Sequence, residues 1–145
     1  MTIEAALVQL LNADEAFSGL VNGRLYPQEA VQDDARPLVV YSTSDPDQEM
    51  TFNGYLNLEN QSFRFDCYGG DSGGSYRSAK RVAKALRDCL LGFLRGLVTS
   101  DLDGTTCNVQ GVFRDGGEDG LEPPAHAEGS GIDYVAVQLR VHWNE

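Results

Sequence analysis

The 145-residue chain is the size of one domain, expected to bury about two-thirds of its unfolded surface, and 41% hydrophobic against 23% charged residues excludes wholesale disorder. Its 22 acidic and 11 basic residues leave a net charge of −11, which opposes sequence-independent binding to phosphate backbones but lets DNA slide along an acidic wall without sticking. No stretch reaches the roughly 20 apolar residues of a membrane span, and no basic segment precedes an apolar run at the start, so the expectation is a soluble protein that meets no membrane.

In chain order, Thr2 caps a helix over about residues 3–12, where Ile3, Ala6, Leu7, Leu10 and Leu11 recur at helical spacing and Glu4 sits in the first turn. Residues 13–17 add a short further turn of helix before Asn22-Gly23 breaks the pattern. Arg24-Leu25-Tyr26 reads as a short strand ended by Pro27. Leu38 to Thr43 is rich in strand formers and opens after Pro37. Another strand starts near Met50, turns at Asn53-Gly54, and leads into a long strand from Leu56 to Tyr68.

In that strand Phe63, Phe65 and Cys67 share a dry face while Arg64, Asp66 and Tyr68 share a wet one, because side chains alternate with a period of two. A helix of about 20 residues follows from Ser75, with Tyr76, Ala79, Val82, Ala83, Leu86, Cys89, Leu90 and Phe93 on its apolar stripe. Arg77, Lys80, Arg81, Lys84 and Arg87 make its outer face basic. That is ordinarily a solvated face, though in so acidic a protein it suits an acidic patch on a neighbouring subunit. Residues 105–113 and 132–143 read as strands. Between them, 114–131 is rich in Gly, Pro and acid, and reads as a long mobile loop. The fold class is α+β in a single domain over residues 1–145: a mostly antiparallel sheet of four to six strands flanked by two main helices.

Candidate chemistry is thin. Asp101-Leu102-Asp103-Gly104-Thr105 resembles the nucleophile loop of haloacid-dehalogenase-like phosphatases, but that chemistry needs a downstream lysine, and Lys80 and Lys84 both precede it. As a calcium loop it lacks its glutamate, since Val112 stands nine residues after Asp103. Both observations favour a turn between helix and strand. The Gly-rich run 69–74 before a helix has the look of a phosphate cradle, yet it lacks the P-loop lysine and dinucleotide-fold spacing. Cys67, Cys89, Cys107, His126 and His142 lack the close spacing of zinc ligands. The cysteines read as buried thiols of a reducing cytoplasm, the histidines as solvent-facing, and the expectation is no catalytic residue, no metal and no cofactor.

A Leu/Ala-rich first helix, Arg24-Leu25-Tyr26-Pro27, Pro37-Leu38-Val39-Val40-Tyr41, Phe63-Arg64-Phe65-Asp66-Cys67-Tyr68 leading to an Ala-rich helix, Val109-Gln110-Gly111-Val112 and a last strand ending in an aromatic come in this order. Together they resemble the tail completion proteins of tailed bacteriophages, also called tail terminators or tail-to-head joining proteins. The resemblance implies a non-enzymatic virion protein that forms a homohexameric ring, caps the tail tube at its head-proximal end, stops its growth and joins the head connector. Its partners would then be itself, the tail tube protein and the head–tail connector protein, with DNA only as passing cargo and assembly in the bacterial host cytoplasm. The expected contact residues are Asp45, Asp47, Arg64, Asp66, Tyr68, Arg114, Asp115, Glu118 and Asp119, because segments 45–51 and 114–131 are long beside well-patterned strands. The reading from a different class is a small cytoplasmic enzyme or ligand-binding domain using loop 69–74 or Asp101/Asp103.

Overall fold

The computed structural model describes residues 1–28, 36–44, 47–51, 54–70, 75–93, 95–122 and 132–144. Three helices lie against one sheet: α1 (Ile3–Ala13), α2 (Glu15–Val21) and α3 (Ser75–Phe93). The strands are β1 (Leu25–Pro27), β2 (Leu38–Thr43), β3 (Asp47–Thr51), β4 (Gly54–Tyr68), β5 (Gly96–Thr99), β6 (Thr106–Glu122) and β7 (Ile132–Asn144). Their order is β1-β2-β4-β7-β6-β5, with β3 also paired to β4. All pairs are antiparallel except β1 with β2. The architecture is the expected α+β, with seven strands among the described residues rather than four to six.

Local chemistry sets the helix ends. Thr2 Oγ1 accepts from Ala5 N at 3.2 Å and opens α1, and Asp14 Oδ1 accepts from Phe17 N at 2.9 Å and opens α2. Asn22, left-handed at φ 51°, closes α2. The second helix thus runs to Val21, four residues beyond the sequence expectation. Ile3, Ala6, Leu7 and Leu11 are buried as their spacing requires.

The core lies on one face of the sheet. Phe63, Phe65 and Cys67 on β4 stand opposite Leu139, Val137 and Val135 on β7, and Ala79, Val82, Ala83, Leu86 and Leu90 of α3 cover them. Each large apolar side chain fully buried here contributes about 1.5–3 kcal/mol. Gln61 shares this face at 5% exposure. Its Nε2 donates to Thr43 Oγ1 at 2.6 Å, and that hydroxyl donates to the Ser62 carbonyl at 3.0 Å, so the buried amide is not left without a partner.

Two expectations are corrected. Segment 114–131 does not begin as a loop, because β6 continues through Glu122 and pairs with β7 as far as Glu122↔Ile132; residues 123–131 lie outside the described residues. The helix-to-strand turn at Asp101 instead joins two strands, since β5 intervenes and pairs with β6 from Gly96↔Val109 to Thr99↔Thr106.

Candidate functional site

The helices cover one face of the sheet, and four of the nine expected contact residues, Arg64, Asp66, Tyr68 and Asp115, lie on the other. Arg64, Asp66 and Tyr68 occupy alternate positions of β4, directly opposite Gln138, Ala136 and Tyr134 of β7. Arg64 Nε donates to Asp66 Oδ1 at 2.9 Å, and the Tyr68 and Tyr134 rings lie 5.7 Å apart and tilted. One strand further, Arg140 approaches Asp115 at 3.5 Å, and Phe113 sets its ring edge-on to His142 at 5.3 Å. A shallow trough of about 280 Å³ runs over this face between Ser42, Ser62, Arg64, Gln138 and Asp115.

Two irregularities in β6 shape this edge. The register slips between Val109 and Gly111 and again between Arg114 and Gly116, so Gln110 and Asp115 are extra residues on the bulged strand. The second bulge places Asp115 beside Arg140. Just past it, a Cβ on Gly117 would lie 2.5 Å from the Ala136 carbonyl oxygen, so only glycine lets the two backbones meet there.

The remaining expected residues separate. Asp47 begins β3, opposite Asn60, at the far end of the sheet. Arg114 is exposed on β6 opposite Leu139. Glu118 and Asp119 pair through their backbones with Ala136 and Val135. Asp45 lies outside the described residues. Sequence reasoning omitted Phe113, Tyr134, Gln138, Arg140 and His142 from the face. The period-two run from Tyr134 to His142 was visible, but its place beside Arg64 depends on the β4–β7 register.

The chemical lures resolve into structure. Asp103 Oδ1 accepts from Thr105 N at 3.0 Å and from Thr105 Oγ1 at 2.6 Å, and these bonds hold its carboxyl below the usual range. Asp101 N donates to Gln9 Oε1 at 3.1 Å, and Gln9 Nε2 donates to the Thr99 carbonyl at 2.7 Å, fastening the turn to α1. Gly70 N donates to Ser78 Oγ at 3.1 Å, tying the strand to the first turns of α3; residues 71–74 of the Gly-rich run lie outside the described residues.

The cysteines are set by burial. Burial raises the Cys67 thiol above its ordinary value, with Asp66 adding to the rise. Cys89 is pushed up to about 12, first by burial, then by the charge of Asp14 and a hydrogen bond to it. His142 is half-buried rather than solvent-facing, and His126 lies outside the described residues. Among the described residues no three His, Cys, Asp or Glu side chains converge on a metal position. No described helix is long and apolar enough to cross a membrane.

Comparison with known proteins gives two findings. The profile of a family described as Tail completion protein gp17 matches residues 5–119. A chain from the virion of a native gene transfer agent particle has the same fold at a TM-score of 0.66 and 18% identity, over 99% of this chain and 95% of its own length. A further solved chain aligns over 97% of this chain and 96% of its own at a TM-score of 0.46 and 13% identity. No curated protein sequence matches.

Proposed function

We propose, from the premise that the chain belongs to the Tail completion protein gp17 family and is a structural protein of a phage tail, that its copies close into a homohexameric ring at the head-proximal end of the tail tube. There the ring ends tube growth and joins the head–tail connector, with DNA as passing cargo. Its action is by fit rather than by catalysis.

The observation that carries this reading is the placement of two hairpins at opposite ends of one sheet. β4 pairs with β7 only from Glu59 onward, so its residues 54–58, with β3 alongside, reach past the last β4–β7 pair by about 17 Å of strand. At the other end, β6 and β7 continue past the last β4 pair, Tyr68↔Tyr134, to Glu122↔Ile132. A joint between two different partners needs two separated contact surfaces, and the hairpins offer one each. Asp47 stands at the root of one, opposite Asn60, and Glu118 and Asp119 lie on the strand that leads to the other. The polar face of Arg64, Asp66, Tyr68 and Asp115 between them is assigned to subunit contacts. That a virion protein shares the fold supports the reading.

Native mass measurement of the purified chain, alone and mixed with tail tubes, tests the ring. The expected species is a hexamer that forms alone or on the tubes. A chain that stays monomeric in both conditions contradicts the ring.

A further inference from the structure

Charge is segregated along this chain. α3 carries five of the 11 cations, Arg77, Lys80, Arg81, Lys84 and Arg87, against one acid, Asp88. The helix is therefore +4 within a chain of −11, which leaves −15 on the rest. Arg77, Arg81 and Lys84 are exposed, and their spacing of four and three residues sets them in a ridge about 10 Å long. Lys84 pairs with Asp88 at 2.8 Å. Arg77 and Arg81 make no ion pair among the described residues, although the chain holds 22 carboxylates.

β6 offers a complementary strand, open along its backbone and acidic in sequence. β5 ends its pairing at Gly96↔Val109, so among the described residues β6 from Gln110 to Glu122 is bonded on its β7 side only. An edge of this length leaves a row of backbone groups open to another chain. Along 114–122, Asp115, Glu118, Asp119 and Glu122 stand against Arg114, a net charge of −3. Acidic residues discourage a second strand, but they supply no donors to the open carbonyls. Guanidinium and ammonium groups do, and they neutralise the carboxylates as well.

We infer that the α3 ridge of one copy docks along the β6 edge of the next copy, adding a charged contact to the polar face already assigned to neighbouring subunits; this rests on the ring reading above. Both surfaces are on every copy and differ from each other, so the contact is head-to-tail, the kind that closes into a ring. DNA is the weaker occupant for the ridge, because the −15 on the remainder of each subunit repels a polyanion.

Charge reversal tests this. Arg77→Glu with Arg81→Glu, and separately Glu118→Arg with Asp119→Arg, should each weaken self-association by about tenfold or more in sedimentation at low salt. Circular dichroism and melting of the ridge variant's monomer should match wild type, since Arg77 and Arg81 are exposed. Mixing the two variants should restore assembly, because each reversed surface then meets its complement and each unchanged surface meets its own. Variants that assemble like wild type, or a mixture that fails to recover, overturn the docking and leave the ring standing. A ridge reversal that abolishes binding to duplex DNA while assembly is unchanged overturns it in favour of nucleic acid. A wild-type chain that is monomeric with and without tail tubes overturns the ring and this inference together.

Discussion

Arg64 and Asp66, two residues apart on β4, bridge at 2.9 Å on the sheet face that carries no helix. Their side chains are 36% and 22% exposed, so the pair still meets water and contributes modestly to folding. Asp66→Asn is expected to cost about 0.2–1 kcal/mol in a thermal melt. If this face is a subunit contact, the same change weakens assembly by a larger factor than it weakens the monomer. Equal small effects on both would place the pair outside the interface.

Gly117 gives a sharper stability prediction. Its missing Cβ would sit 2.5 Å from the Ala136 carbonyl, a backbone atom that cannot swing away. Gly117→Ala should therefore lower stability by about 1–3 kcal/mol, read as a lower denaturation midpoint at unchanged slope. An unchanged midpoint would mean that the bulged strand separates from β7 at no cost.

Much of this fold was legible in the sequence, for definable reasons. The alternation of Phe63, Phe65 and Cys67 with Arg64, Asp66 and Tyr68 named both sheet faces, because strand periodicity is a local property. The apolar stripe of α3 was equally plain from Ala79 to Leu90, although Tyr76, read as part of it, is 46% exposed. β5 was not, since its four residues are too few to show a period and their pairing with Thr106–Val109 defines them. Residues 114–122 carry Gly and acid that disfavour strands. They extend because β7 offers a ladder, and that information lies 10 to 25 residues away, from Glu122↔Ile132 to Arg114↔Leu139. The polar face was half-read for the same reason: its β4 half was named, and its β7 half waited on register.

Trp143 separates shape from polarity in the core. It is 7% exposed, and its Nε1 is buried with no hydrogen-bond partner among the described residues. Trp143→Phe loses volume but removes an unpaired donor, so a net loss within about 1.5 kcal/mol is expected. Trp143→Ala, which opens a cavity with no such gain, should cost about 3–5 kcal/mol. Equal losses in urea denaturation would show that the indole N–H is satisfied.

Alkaline pH probes the buried acids. Cys89 rises from 9.0 to about 12 on folding, and Tyr41 is also raised, first by burial and then by Glu4. The unfolded chain releases these protons first. The stability they contribute is full below about pH 9, declines as pH rises above it, and is gone above the folded values. A melting temperature that falls progressively above pH 9, with slow native-state alkylation of the thiols at pH 8, is the expected pair of results. Fast alkylation of more than one thiol in the folded protein would contradict the burial of Cys67 and Cys107, since Cys89 alone is partly exposed.

The central claim is that the chain ends and joins the tail, and electron microscopy of particles assembled without it is the most direct test. The account predicts tubes of uncontrolled length detached from filled heads, with normal length and joining restored when the wild-type chain is supplied. Tails of normal length joined to heads in its absence would contradict it.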